Sequence, residues 1–267
     1  MVDAVKVIYP EDRRQKIIDL IKSSGGRMSI KELARHVRVS QSALYKDLAV
    51  LENRRSIKKS YGRLEFIDSE EKKHNFFLNL QKNAAQKKAI GKLAATLAED
   101  NDTIFVDGSS TTFYFCEALK KRNLKNITLI TNSIFVPGQM VMEDSTELIC
   151  VGGRVTKSIG TSDGDIWELL VKNNFYANKF FFSCYSMSTE AGVLDPVQSD
   201  SSMKAVFALK SQKNICLVDS SKFSLYSTYN WIGMDSINMI ITDSGLSKEV
   251  EKKLISRGVE LMIAGKR

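Results

Sequence analysis

Asp107-Gly-Ser-Ser-Thr-Thr112 sets a carboxylate, a glycine and four consecutive hydroxyls directly between an apolar run and a helical segment. Small residues let backbone N–H groups approach an anion, the hydroxyls add donors, and a helix N-terminus favours negative charge. Capping that helix takes only one of Ser109 and Ser110, so the full run of hydroxyls favours a phosphate-binding loop. Two further segments at strand ends carry candidate groups. Val151-Gly-Gly-Arg154 pairs Gly152 with Gly153, which lets the backbone approach a ligand or, equally, a neighbouring loop. Asp219-Ser-Ser-Lys-Phe223 puts Lys222 just past a strand, where a cation either meets a phosphate or stays in solvent. The chemistry implied is capture of a phosphorylated small molecule. His36 and His74 are far apart and the four cysteines form no CxxC pair, so neither a metal, a cofactor nor a histidine-based catalytic site is expected.

A second kind of site lies nearer the N-terminus. Ser29 to Lys46, SIKELARHVRVSQSALYK, reads as two short helices about a tight turn, a helix-turn-helix motif over about 28–47. Ser29 can cap the first helix, and Glu32 three residues on completes a capping box. Leu33, Ala34 and Val37 give that helix one apolar face. Ser40 can cap the second helix, in which Leu44, Leu48 and Leu51 share a buried stripe. Gln41, Ser42, Tyr45 and Lys46 then face outward near the helix start, where a recognition helix meets base edges in the major groove.

An ordinary helical hairpin would show the same pattern, and the flanks separate the two readings. Upstream, Glu11 to Ser23 forms a third amphipathic helix, with Ile17, Ile18 and Ile21 inward and Arg13, Arg14 and Lys16 outward. Downstream, Ser56 to Asp68 reads as a hairpin turning at Gly62. Ile57, Leu64 and Phe66 close its core, while Lys58, Lys59 and Arg63 project from its tip. Three helices and a basic β-wing make a winged helix.

Charge supports this assignment. The chain carries 39 Lys and Arg against 31 Asp and Glu, and residues 1–63 alone hold 15 basic against 7 acidic side chains. The whole excess of +8 therefore sits on the winged helix, and double-stranded DNA is the expected partner. No apolar run approaches the ~20 residues that span a bilayer. The opening MVDAVKVIYP lacks the apolar core of a secretory signal, so a cytoplasmic protein with no membrane partner is expected. Cys116, Cys150, Cys184 and Cys216 read as free, buried thiols.

The chain divides into a winged helix over 1–68, a polar linker over 69–82 and a larger domain over 83–267. In the larger domain, apolar runs recur at 103–107, 127–131, 147–153, 179–184, 214–219, 237–243 and 259–265, mostly separated by helical segments. That alternation implies an α/β fold with a mostly parallel sheet covered on both faces. Polar residues and glycines close these runs, and ligands in such sheets bind beyond the strand carboxyl ends.

A winged helix followed by DGSSTT, TNS, GGRV and VDSSKF resembles the DeoR family of bacterial transcription regulators, from about Glu11 to Ala264. Where the family's recognition helix usually reads VS-x-x-TIRRDL-x-x-LE, this chain has VSQSALYKDLAVLE from Val39 to Glu52. The resemblance implies a sensor domain like the ribose-5-phosphate isomerase and CoA-transferase folds. It also implies a repressor of a carbohydrate-use operon, released or modulated by a phosphorylated sugar or related metabolite. By the same resemblance Asp107, Gly108, Ser109, Ser110, Thr111, Thr112, Asn132, Lys204 and Lys222 line the effector pocket, and the glycine pair adds Gly152 and Gly153 to the expected effector-binding residues. Three departures stand out. ALYKDL replaces TIRRDL, Tyr61-Gly62-Arg63 replaces a glycine pair at the wing, and Ser183, Ser186 and Ser188 stand where the family has glycines and an acid. The serines are expected to face the pocket and to alter the effector.

Two other functions fit the same residues. One is an isomerase-like sugar-phosphate enzyme with an attached DNA-binding domain, for which Asp107, Asp195, Asp219 and Lys222 are candidate acid–base groups. The other is an effector-independent DNA binder whose α/β domain serves only dimerisation. For a regulator, a homodimer or homotetramer on symmetric half-sites is expected.

Overall fold

The computed structural model describes residues 10–37, 39–53, 56–66, 75–140, 145–196 and 198–265, and residues 69–74 of the expected linker lie outside these. The chain forms two compact units, Met1–His74 and Asn75–Arg267.

The smaller unit runs α1 (Pro10–Ser23), β1 (Arg27–Ser29), α2 (Ile30–Val37), α3 (Gln41–Asn53), β2 (Ile57–Ser60) and β3 (Arg63–Phe66). Ser29 Oγ accepts the Glu32 N–H at 3.1 Å and Ser40 Oγ the Ala43 N–H at 3.3 Å, so both helices of the motif start on hydroxyl caps. Ile17, Ile21, Leu33, Leu44, Leu48 and Leu64 are all buried in one core. The wing is an antiparallel hairpin in which Ser60 pairs with Arg63, leaving Tyr61-Gly62 as the turn.

Arg13 and Arg14 do not face outward as the sequence suggests. Asp47 lies on the buried face of α3 between Leu44 and Leu48, and a lone carboxylate there is costly. Arg13 Nε meets its Oδ2 at 2.5 Å and Arg14 Nε its Oδ1 at 3.0 Å. Two cations of the basic face are thus engaged inside the unit.

The larger unit begins at Asn75, inside the stretch read from the sequence as linker. Asn75 caps α4 (Phe76–Gln81), and the buried Phe76 ring stacks on Phe135 at 4.2 Å. FFLNLQ is too short a run, between polar neighbours, to announce a helix. Next come α5 (Ala84–Ala95), β4 (Thr103–Val106), α6 (Ser110–Leu119), β5 (Ile127–Thr131), α7 (Val136–Met140) and β6 (Thr146–Cys150). A short hairpin, β7 (Arg154–Thr156) and β8 (Thr161–Asp163), precedes α8 (Asp165–Asn174) and β9 (Ala177–Phe182). The chain ends with β10 (Ser186–Ser188), β11 (Gly192–Asp195), α9 (Gln198–Leu209), β12 (Ser211–Leu217), β13 (Tyr229–Ile232), β14 (Met239–Asp243), α10 (Lys248–Ser256) and β15 (Glu260–Ala264).

Seven strands form one parallel sheet in the order β15-β14-β12-β9-β4-β5-β6. Each coincides with one of the seven apolar runs, and the α/β architecture is as expected. Apolar clusters cover both faces. Phe115 stacks on Phe181 at 4.2 Å beneath α5, α6 and α7, and Phe105 stacks on Phe207 at 4.4 Å beneath α8, α9 and α10. A Cβ at Gly91 would meet the Phe115 backbone nitrogen at 2.7 Å, so α5 approaches α6 only because glycine stands there. The order of strands reverses between β4 and β9: β5 and β6 extend one side, β12, β14 and β15 the other. In open α/β sheets such a reversal is where ligands bind, which places the expected site beyond the carboxyl ends of β4 and β9.

The short polar strands β7, β8 and β10 carry no apolar alternation and were not foreseen. Nor do all thiols lie buried. Cys116, Cys184 and Cys216 do, but Cys150 is exposed because β6 is the sheet's edge. Among the described residues no helix is long and apolar enough to cross a membrane.

Asp47→Ala strands two largely buried guanidinium groups. It is expected to cost the smaller unit about 3 kcal/mol, read by urea denaturation of the full chain. A loss no larger than that of an exposed substitution such as Glu52→Ala would remove the clamp from the stabilising interactions.

Candidate functional site

On the smaller unit, Gln41, Ser42, Tyr45 and Lys46 are exposed along the first turns of α3, and Lys58, Lys59 and Arg63 are exposed on the wing. The seven residues nominated from the sequence all reach solvent. Lys59 Nζ lies 4.7 Å above the Tyr45 ring, coupling wing to recognition helix through a cation–π contact. A groove of about 600 Å³ lies between the two, bordered by Lys31, Gln41, Tyr45, Tyr61 and Arg63. A polar helix face beside a basic hairpin suits a groove of duplex DNA.

On the larger unit, Asp107 sits at the switch point with no solvent exposure. Its Oδ1 accepts the Ser109 N–H at 3.1 Å and the Thr112 hydroxyl at 2.8 Å, which fixes the loop entering α6. Its Oδ2 accepts the Ser183 N–H at 3.0 Å, across from β9. Lys204 Nζ, from α9, lies 3.6 Å from that oxygen and 3.1 Å from Asp195 Oδ2. Asp195 in turn accepts the Tyr185 N–H at 2.7 Å and the Trp231 indole N–H at 2.8 Å. All three charges of this Asp–Lys–Asp chain are buried, and each has several partners, as buried ions require.

The four hydroxyls of the loop are shared out. Ser109 Oγ caps α6 through the Thr112 N–H at 3.2 Å, and Thr112 turns back on Asp107. Thr111 lies 3.4 Å from the Ser183 hydroxyl. Ser110 Oγ accepts from Lys87 Nζ at 3.0 Å, and Lys87 also donates to the Asn79 carbonyl. Sequence reasoning missed Lys87. Its signal was a lysine on the buried stripe of α5, in register with Ile90, Gly91 and Ala94. Burial pushes this ammonium down from its ordinary 10.5 to about 8, with Asp219 opposing the shift and Lys222 and Lys82 adding to it.

Lys222 follows Asp219, which caps a short 3₁₀ turn, and its Nζ stands 5.4 Å from the Tyr185 ring. Tyr185 thus links the Asp195 end of the ion chain to Lys222. Among the described residues, Asn132 Oδ1, at the end of β5, and Asp219 Oδ2 are buried acceptors without a protein donor. Orphaned buried acceptors suit a ligand's hydroxyl donors.

Gly152 and Gly153 make room for neighbouring parts of α8 and β8. A Cβ at Gly152 would meet the Trp167 ring at 2.8 Å, and one at Gly153 the Asp163 carbonyl oxygen at 2.1 Å. Of the three substituted serines, only Ser183 joins the Asp107 cluster. Ser186 donates to the Leu225 carbonyl at 2.5 Å. Ser188 accepts the Glu190 and Ala191 N–H groups in the turn after β10, so it bears on that hairpin and not on the pocket as expected. Among the described residues no group of His, Cys, Asp and Glu could hold a metal ion.

Residues 82–244 match the model of the DeoR C terminal sensor domain, and residues 13–70 that of the DeoR-like helix-turn-helix domain. The chain is 31% identical over 257 residues to the HTH-type transcriptional regulator GolR of Listeria innocua, spanning 96% of this chain and 100% of that protein. It is 26% identical to the HTH-type transcriptional repressor GlcR of Bacillus subtilis, over 96% of this chain and 97% of the relative. The L-fucose operon activator of Haemophilus influenzae is 27% identical over 85% of this chain and 90% of its own length. Among solved structures, ribose 5-phosphate isomerase A of Methanocaldococcus jannaschii overlaps 53% of this chain and 55% of its own, at 15% identity and a TM-score of 0.41.

Folded Lys87 releases its proton near pH 8 and an unfolded chain holds it to 10.5, so between these values the unfolded state binds more protons and stability rises with pH. Relative to Lys87→Met, wild type is expected to gain about 3 kcal/mol across that window, measured by urea denaturation of both proteins at several pH values. Parallel stability–pH curves would show that Lys87 is not held in this perturbed state.

Proposed function

The chain belongs to the DeoR family of transcription regulators, and from that premise we propose that it represses a carbohydrate-use operon in the cytoplasm. It holds operator DNA as a homodimer or homotetramer, reading bases with Gln41, Ser42 and Tyr45 and phosphates with Lys46, Lys58, Lys59 and Arg63. A phosphorylated sugar at the β4/β9 switch point lowers that affinity. Its phosphate meets the Ser109–Thr112 loop, Lys87 and Lys222. Its hydroxyls donate to Asn132 Oδ1 and Asp219 Oδ2, which have no donor among the described residues.

The observation that carries this reading is the buried Lys87 ammonium on Ser110, at the N-terminus of α6 and within the electrostatic reach of Asp219. A cation held there at a desolvation cost is stabilised when an anion arrives. Asp107 and Asp195 are both engaged by Lys204, which suits a fixed binding floor better than an acid–base pair. Repression follows the Bacillus relative named as a repressor; the Haemophilus relative named as an activator represents the opposite sign. For any effector to act, it must bind the free and operator-bound states with different affinities.

The test uses full-length protein on a duplex selected from random sequence, read by fluorescence anisotropy with a panel of sugar phosphates. Gln41→Ala and Tyr45→Ala should each cost about 1–3 kcal/mol on that duplex. Lys222→Ala should bind the duplex normally and require roughly tenfold more phosphate ester for release, the worth of one charge-assisted contact. An unchanged dose response would take Lys222 out of the site, and rising reporter transcription on binding would make the protein an activator.

A further inference from the structure

Five non-glycine residues have positive φ among the described residues, and four of them are asparagines, whose short amide tolerates the left-handed region. The fifth is Tyr61, at φ 47°, followed by Gly62 at φ 76°. With Ser60 paired to Arg63, these two residues form a two-residue turn with positive φ at both positions. Such a turn favours asparagine, aspartate or glycine at its first position and penalises a bulky side chain. Tyr61 is also fully exposed, so its ring gives the unit no burial in return. A fully exposed side chain that strains the turn and packs on none of the described residues points to a contribution through something outside the chain.

The surroundings say what that is. Lys58 and Arg63 stand exposed beside the turn, and Lys59 ties the wing to Tyr45 on the recognition helix. With α3 in a major groove, a hairpin tip beside it falls over the flanking minor groove. There A·T pairs present only acceptors, while a G·C pair adds the guanine amino donor. A phenol hydroxyl donates to the former and meets a protruding amino group on the latter, and the ring supplies a wedge for a base step or sugar edge. Narrow A·T minor grooves also concentrate negative potential, which favours the adjacent Lys58 and Arg63.

We propose that Tyr61 is a specificity-determining DNA contact, a minor-groove reader that makes the wing select A·T-rich flanks in addition to touching phosphates. Retaining a strained aromatic at the tip is then a trade of fold stability for recognition.

Stability and recognition should move in opposite directions when the side chain is removed. Full-length wild type, Tyr61→Gly and Tyr61→Phe are each put through selection from random duplexes, followed by melting and by titration on the wild-type site. Tyr61→Gly should melt no lower than wild type, since glycine suits the turn. It should also lose A·T enrichment at positions flanking the core while keeping the core sequence, and bind the wild-type site roughly tenfold more weakly with an unchanged salt slope. Tyr61→Phe should keep most of the affinity and relax the A·T preference. Flanking preferences identical in wild type and Tyr61→Gly would overturn the proposal. So would a uniform loss on all duplexes accompanied by a lower melting temperature, which would make Tyr61 a structural residue.

Discussion

The carboxylate of Asp107 lies where the two halves of the large sheet diverge, and its satisfaction dictates the layout of the surrounding carboxyl edge. One oxygen takes the Ser109 N–H and the Thr112 hydroxyl, which shapes the loop entering α6. The other takes the Ser183 N–H across the switch point and lies 3.6 Å from Lys204. Through Lys204 the constraint passes to Asp195, and from there to Tyr185 and Trp231. A buried carboxylate without these partners would cost far more than a typical surface ion. The donors from β9, α6 and α9 are therefore drawn to one point, and the loop with its α6 N-terminus is held before any ligand arrives.

Preorganisation of this kind determines which groups remain available. The loop hydroxyls are largely committed to one another, to Asp107 and to Lys87, so the polarity of the edge is set by two lysines and two orphaned acceptors. Lys87 is buried and Lys222 partly exposed, which makes one a costly internal charge and the other a solvated one. Their mutual repulsion contributes to the lowered Lys87 pKa, and an anion between them would relieve it. The winged helix uses the opposite economy. It buries Arg13 and Arg14 against Asp47 and leaves the cations of α3 and the wing in water, where a polyanion can reach them.

Much of this was legible in the sequence because it depends on local patterns. Seven apolar runs became seven parallel strands, Leu44, Leu48 and Leu51 became the buried stripe of α3, and Gly62 ended in the wing turn. Most of the misses share a cause: they depend on what a residue meets further along the chain. Arg13 and Arg14 look solvated until Asp47 is found on the buried side of α3. Lys87 looks like a surface lysine until α5 packs its stripe against α6. Gly152 and Gly153 are explained by Trp167 and Asp163, which come later in the chain. Ser188 is a local exception: the family resemblance sets it at the pocket, whereas it stands in β10, which pairs with β11 in a separate small sheet, and it accepts from the turn that follows.

The central claim is that the Lys87 ammonium at the switch point becomes a partner of the effector's phosphate. The direct measurement is the affinity of full-length protein for the most effective phosphate ester from pH 7.5 to 9.5, by calorimetry. The ester is a dianion throughout that range, its second pKa being near ~6. If Lys87 titrates near 8 when free and is held charged when bound, binding takes up a proton above pH 8. Affinity is then expected to be flat below about pH 8 and to fall towards tenfold per pH unit above it, with Lys87→Met showing weaker binding and no such fall. Wild-type affinity that stays constant across the range would contradict the account.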